Sequence, residues 1–242
     1  MKFYNKKVVK SGNIIEVYEY QDTQIKREVR RVEGERLSEG SNEFSEEEKE
    51  ETNIKNGYRR RRTLRRLINA NDDILTKFFT LTFKENLKSV DKAYYELKKF
   101  KKRLKYYLDK HYDRSLKYVV VVEFQKRGAV HFHMLCNLPY IKADKLAALW
   151  NNGFIKINKI ETVDNVGSYV VKYMGKDFNN ERMKGRKRYN RSRNLKEPEE
   201  ILDKKKVAEL VAQLPNEKMV FEKTFNNESI GDIHYKQFNL NR

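Results

Sequence analysis

The residues best suited to chemistry lie in two short runs. The first is Glu123-Phe124-Gln125-Lys126-Arg127-Gly128-Ala129-Val130-His131-Phe132-His133. Strand-forming residues flank Lys126-Arg127-Gly128, and a three-residue hairpin loop with glycine in the left-handed position is a common connection. Such a loop pairs Gln125 with Ala129 and sets Glu123 opposite His131. Side chains alternate faces along a strand, so His131 and His133 share one face. Directly opposed residues share it too, with Cβ atoms about 4.5–5.5 Å apart. Glu123, His131 and His133 therefore converge on one patch. Two imidazoles and a carboxylate suit a divalent transition metal and leave coordination positions open for a substrate. A plain Glu–His hydrogen bond is the competing reading, and a non-haem iron site uses the same ligand set.

The second run is Tyr169-Val170-Val171-Lys172-Tyr173-Met174-Gly175-Lys176. Tyr169 and Tyr173 are one helical turn apart, and Lys172 and Lys176 each follow a tyrosine by three residues, so all four lie along one side of a helix. The plain reading packs the tyrosines on a sheet. The chemical reading makes one of them a covalent nucleophile. A phenol has a pKa of about 10, and a nearby ammonium or metal ion favours its ionised form. Attack on a phosphodiester would leave a phosphotyrosyl link and a free hydroxyl on the other fragment.

These runs need elements to carry them. Phe78-Phe79-Thr80-Leu81-Thr82-Phe83 reads as a strand. The span 91–107 reads as a long helix with Tyr94, Tyr95, Leu97, Phe100, Leu104 and Tyr107 on its apolar side. Strands over 117–124 and 129–135 follow, then a helix over 143–150, a strand over 154–160 and a helix over 165–176. The order β-α-β-β-α-β-α points to an α+β fold: a ferredoxin-like antiparallel sheet of about five strands with helices on one side.

The flanks are less regular. Residues 1–56 hold a hairpin over Lys6–Tyr20, turned at Ser11-Gly12-Asn13, and an acidic stretch in which Ser45 and Glu48 form a capping box. Residues 57–200 hold the core, opened by a basic helix with Arg59, Arg60, Arg61, Arg62, Arg65 and Arg66 around a Leu64, Leu67, Ile68 stripe. The segment 178–198 is basic and loop-like. Residues 201–242 hold a short helix and two strand-like runs, over 219–225 and 230–238. These terminal runs either pair with each other or extend the central sheet.

Composition narrows the partners. The 242 residues carry a net charge of +18, and a phosphate backbone is the commonest acceptor for such an excess. No apolar run approaches the roughly 20 residues needed to span a bilayer. The chain opens without an apolar signal core and has one cysteine, Cys136, so a cytoplasmic protein without internal disulfides is expected. Arg59 to Arg62, Arg65, Arg66, Lys126, Arg127, Arg186, Lys187, Arg188 and Arg191 are the candidate DNA contacts.

Three ordered motifs resemble the HUH endonucleases, and within them the rolling-circle replication initiators of Gram-positive phages and plasmids. Phe79-Thr80-Leu81-Thr82 resembles the first motif, His131-Phe132-His133 the second, and Tyr169 through Lys176 the third in its two-tyrosine form. Glu123 stands where many initiators have a third metal ligand. The runs Arg65-Arg66-Leu67-Ile68-Asn69-Ala70-Asn71 and Lys187-Arg188-Tyr189-Asn190-Arg191-Ser192-Arg193-Asn194-Leu195 resemble the flanks of such initiators. The resemblance covers roughly residues 60–200.

The resemblance implies a Mg²⁺ or Mn²⁺ ion at Glu123, His131 and His133. It implies nicking of single-stranded or hairpin origin DNA by Tyr169, with Tyr173 as a second nucleophile. It also implies a 5′-phosphotyrosyl intermediate and a 3′-hydroxyl that primes a host polymerase. No Walker A run is present, so a host helicase or negative supercoiling is expected to unwind the duplex. A relaxase or single-strand transposase would share the chemistry. A non-catalytic DNA-binding or copy-control protein would share the charge.

Overall fold

The structure is a computed structural model that describes residues 1–26, 46–158, 165–175, 180–227 and 230–242. The acidic stretch before residue 46, Ser45 of the expected capping box and Lys176 lie outside the described residues. The fold is α+β, with two antiparallel five-stranded sheets and five α-helices among the described residues. Residues Gly57–Glu197 form one unit; Met1–Asn56 and Pro198–Arg242 together form the other.

The central unit holds β3 (Lys77–Leu81), α2 (Val90–Tyr112), β4 (Tyr118–Phe124), β5 (Val130–Cys136), α3 (Ala143–Trp150), β6 (Ile155–Asn158), α4 (Val166–Gly175) and β7 (Tyr189–Arg191). It also takes α1 (Glu46–Asn69) from Gly57 onward. The strand order is β6-β3-β5-β4-β7.

Helices cover both faces of this sheet, not one. On the first face, α2 and α3 bury Leu97, Phe100, Leu104, Leu146 and Trp150 against Phe79, Leu81, Val120, Val122, Phe132 and Met134. On the second, α1 and α4 bury Leu64, Leu67, Ile68 and Val170 against Phe78, Val119, Val121 and Leu135. The sequence carries the reason. Val119-Val120-Val121-Val122 is apolar at consecutive positions, so successive side chains enter opposite faces and both must leave water. At about 25 cal/mol per Å² of apolar surface, a bare second face would forfeit much of the stability of the sheet.

Helix α2 starts on Ser89, whose hydroxyl accepts from Lys92 N, and stops at Asp113 with φ of 44°. Its buried stripe is Val90, Ala93, Leu97, Phe100, Leu104 and Leu108. The phase set by Ala93 and Leu97 turns Tyr95 outward, where it is 60% exposed, against its expected place on the apolar side.

The segment expected as a basic loop contains a single 3-10 turn over Glu181–Met183 and the edge strand β7. Met183 is buried in the core beside α2, and Val119 to Val121 pair with residues 189–191. Three-residue strands are too short to show a period, which is why composition alone reads them as loop.

The second unit joins the two ends of the chain. Its elements are β1 (Lys2–Ser11), β2 (Ile14–Lys26), β8 (Glu199–Ile201), α5 (Lys204–Ala212), β9 (Met219–Asn227) and β10 (Gly231–Asn239). The strand order is β8-β1-β2-β10-β9. The terminal runs thus pair with each other, Ile14 opposite Asn239 and Tyr20 opposite Ile233. Helix α5 buries Val207 against Val8, Ile15, Val17 and Phe238.

Candidate active site

The hairpin that carries the first run has the register expected of it. Gln125 N donates to Ala129 O at 2.9 Å, and Gly128 N donates to Gln125 O at 2.7 Å. Gly128 has φ of 83°, a conformation open to glycine at little cost. Glu123 then faces His131 directly. Strand β3 adds Thr80 opposite His133 on the other side of β5.

The side chains meet in a chain of contacts. His133 Nε2 lies 2.6 Å from Glu123 Oε2, and His133 Nδ1 lies 3.0 Å from Thr80 Oγ1. Both ring nitrogens of His133 are thus engaged, which fixes the plane of the ring. His131 is buried, and its Nε2 has no hydrogen-bond partner among the described residues. Burial holds the His131 pKa below its ordinary value; the His133 charge acts the same way, and Glu123 opposes both. His131 is therefore neutral near pH 7 and keeps a lone pair for a ligand.

As the side chains stand, no group of three His, Cys, Asp or Glu residues is spaced to hold a metal ion among the described residues. The donor types and the unpartnered His131 Nε2 do fit a divalent cation. The Glu123 carboxylate spans to His133 instead, so it would have to give up that hydrogen bond to share an ion with both imidazoles.

Helix α4 brings the tyrosines to the same face. The Tyr173 ring stacks on His133, with centroids 3.9 Å apart and planes 29° apart. The Tyr173 hydroxyl donates to Tyr169 Oη at 3.0 Å. Burial, the Tyr169 hydrogen bond and the Glu123 charge all raise the Tyr173 pKa. A donor that resists ionising leaves Tyr169 as the acceptor, whose oxygen gains stability as a phenolate. Phe78 braces the group, 5.6 Å from each tyrosine ring and 5.9 Å from His133. Lys172 is exposed on α4.

The expected DNA contacts divide. Arg59, Arg60 and Arg62 on α1 are exposed, and Arg61, Arg65 and Arg66 are half-buried. Lys126 and Arg127 are exposed at the tip of the β4–β5 hairpin. Arg186 grips Asp91 with two nitrogens, at 3.1 and 2.8 Å. Arg191 meets Glu197 at 2.5 Å. Lys187 is exposed, and its carbonyl accepts from Tyr94. Burial and the like charge of Arg60 lower the Arg188 pKa. Arg186 and Arg191 thus serve the fold as well as the surface charge. The charge itself is uneven: residues 57–197 carry 35 Lys and Arg against 14 Asp and Glu, while the rest of the chain carries 18 against 21. The whole positive excess belongs to the unit that holds the tyrosines.

Residues 76–178 match the family model for the replication-associated protein ORF2. That window contains Thr80, Glu123, His131, His133, Tyr169 and Tyr173, and it leaves out the arginines of α1 and the segment 180–197. The chain is also similar to replication-associated protein ORF4 of Chlamydia phage 1, at 29% identity over 106 residues. The alignment covers 35% of this chain and 26% of that protein, so the chain matches about a quarter of its relative's length. No solved structure matches the chain. No helix among the described residues is long and apolar enough to cross a membrane.

Three residues around the site carry roles that the sequence reading did not give them. Phe78 and Thr80 alternate on β3 and face His133, and strand alternation next to the second motif was a usable signal for both. Asn69, at the end of α1, had no such signal, because its partners lie almost a hundred residues away.

Proposed function

We propose that residues 57–197 cut single-stranded DNA by tyrosine transesterification and so initiate rolling-circle replication. One observation carries this reading: the Tyr173–Tyr169 pair is packed against the His133–Glu123 pair on a strongly basic unit. The chain order β-α-β-β-α-β is that of a ferredoxin-like sheet, the scaffold that the resemblance to HUH endonucleases implies. The match to the replication-associated family supports a replication role for the same window.

In this reading Tyr169 Oη attacks the scissile phosphorus. The Oη–P bond forms and the P–O3′ bond breaks; the phenolic proton leaves to solvent and the departing oxygen ends as a 3′-hydroxyl. Tyr173 holds Tyr169 by its hydrogen bond and is placed to act as a second nucleophile when the strand is rejoined. Glu123, His131 and His133 would hold a Mg²⁺ or Mn²⁺ ion, which when bound supplies charge neutralisation at the phosphate. Lys172 and the exposed arginines of α1 bind the strand. Strand closure would rest on the same residues, and host helicase and polymerase would act on the product.

The test is a covalent adduct. Single-stranded DNA incubated with the chain and Mn²⁺ should yield a protein–DNA conjugate that survives denaturation and is lost in Tyr169→Phe with Tyr173→Phe. An undiminished conjugate in that double variant would refute the nucleophile assignment. The direct Glu123–His133 hydrogen bond favours a second reading, a DNA-binding protein that does not cleave. It would bind with strong salt dependence and form no conjugate.

A further inference from the structure

The flank motif ending in Asn69 has no part in the chemistry above, yet it meets the tyrosine helix directly. Asn69 ends α1 and is 2% exposed. Its Oδ1 accepts from Gly167 N at 2.8 Å, and its Nδ2 donates to Asn165 Oδ1 at 3.0 Å. Asn165 Oδ1 in turn accepts from Ser168 N at 2.9 Å. The first amides of a helix have no partner within it. In α4, one of them is satisfied by a side chain from another helix, 98 positions earlier in the chain.

The backbones also touch here. A Cβ on Gly167 would lie 2.4 Å from Arg65 O and 2.6 Å from Asn69 Oδ1. Only glycine lets the start of α4 seat against the last turn of α1. Arg65 belongs to the basic face, and Tyr169 lies two residues beyond Gly167. The arginine face and the tyrosine pair therefore share one junction.

We propose that Asn69 is a positioning residue for the tyrosines: it locks α4 onto α1, so that a strand held by the α1 arginines meets Tyr169 at a fixed distance. This rests on the reading of Tyr169 and Tyr173 as nucleophiles. The ordinary alternative is a buried asparagine that only satisfies backbone groups and supports stability. The two differ in what is lost. A merely stabilising residue changes the fraction of active molecules. A positioning residue changes the rate constant of the molecules that are active.

The experiment uses the full chain with Mn²⁺ and a 3′-labelled single-stranded DNA pool of randomised sequence. Asn69→Leu removes both hydrogen bonds. Asn69→Asp keeps the acceptor for Gly167 N and is the milder variant should Asn69→Leu fold poorly. Adduct formation is followed in single turnover at saturating DNA, and amide hydrogen exchange is measured across α4. Asn69→Leu should speed exchange at Gly167, Ser168 and Tyr169. It should also lower the rate constant by about tenfold or more, since small displacements of reacting groups cost such factors. The final amplitude and the half-saturating DNA concentration should not change. Asn69→Asp should fall between the two. A drop in amplitude at an unchanged rate constant overturns the positioning role. Unchanged α4 exchange in Asn69→Leu overturns the interlock whether or not an adduct forms. Absence of any tyrosine adduct in the unsubstituted chain overturns the nucleophile reading, and the positioning role with it.

Discussion

Thr80 Oγ1 sits 3.0 Å from Nδ1 of His133, on the strand next to the one that carries the histidine. A partner on the far nitrogen of a ligating imidazole sets the direction of the near one, and removing such partners weakens metal sites about 10- to 100-fold. Thr80→Val keeps the shape and removes the hydroxyl. Titration calorimetry with Mn²⁺ should show weaker binding by roughly that factor. Equal affinity in Thr80→Val and the parent chain would separate Thr80 from the site.

Tyr173→Phe keeps the ring on His133 and removes the hydroxyl that Tyr169 accepts. Tyr169→Phe should abolish the first adduct, while Tyr173→Phe should slow it. One charge-neutral hydrogen bond is worth about 1 kcal/mol, so the slowing should be about fivefold. Peptide mapping of the adduct reads the attachment site directly. An adduct mainly on Tyr173 in the parent chain would reverse the order given to the pair.

Exposed Arg59, Arg60 and Arg62 should contribute to affinity through phosphates and so through salt. Each lost phosphate contact on a single strand should flatten the slope of log affinity against log salt by about 0.7. Fluorescence anisotropy with Arg60→Ala across a salt series measures this. A slope equal to that of the parent would move Arg60 off the binding face.

Gly167→Ala tests the contact between α1 and α4 without touching a polar group. The added methyl has only backbone and a buried amide to push against. Overpacking of this kind costs about 1–3 kcal/mol, measurable as a lower urea midpoint. An unchanged midpoint would mean that the two helices have room to part.

Glu200 gives the end-pairing unit a pH signature. Burial raises its pKa, but the hydrogen bond from Lys26 and the charge of Lys7 outweigh it, and the net value is lowered. A carboxyl with a lowered folded-state pKa adds stability that is present above its unfolded pKa of about 4.3. That stability is lost as pH falls through the folded value. Glu200→Gln should therefore unfold more readily than the parent at pH 7, by at most about 1 kcal/mol for so exposed a pair. The gap should close under acid, and a gap constant with pH would rule the pair out.

The hairpin of β4 and β5 was legible because one loop length sets every pairing along it, which alone placed Glu123 opposite His131. The tyrosine helix was legible from a four-residue spacing. Helices on the second face were implied by four successive valines, although the β-α-β-β-α-β order on its own points to one covered face. Less was written in local pattern elsewhere. Strands β7 and β8 have three residues each, and they form because a neighbour offers an edge, not because of their own sequence. The link from Asn69 to Gly167 spans most of the central unit. The direct Glu123–His133 bond was one of two readings of the same residues, and register alone could not choose between them.

The pairing of β2 with β10 sets a timetable for synthesis. Ile14 leaves the ribosome early and must wait for Asn239, with the entire central unit made in between. The tyrosine-bearing unit has all its strands by Arg191, so it can fold on the nascent chain. The end-pairing sheet cannot complete until β10 has emerged. Loop closure over so long a stretch is slow when the chain between is loose and cheaper once that chain has already condensed. A chain broken off before β10 would keep the residues proposed to cut DNA while leaving β1 and β2 as a hairpin without its central partner. Premature termination in that stretch would therefore release an unfinished protein that already contains the proposed nuclease.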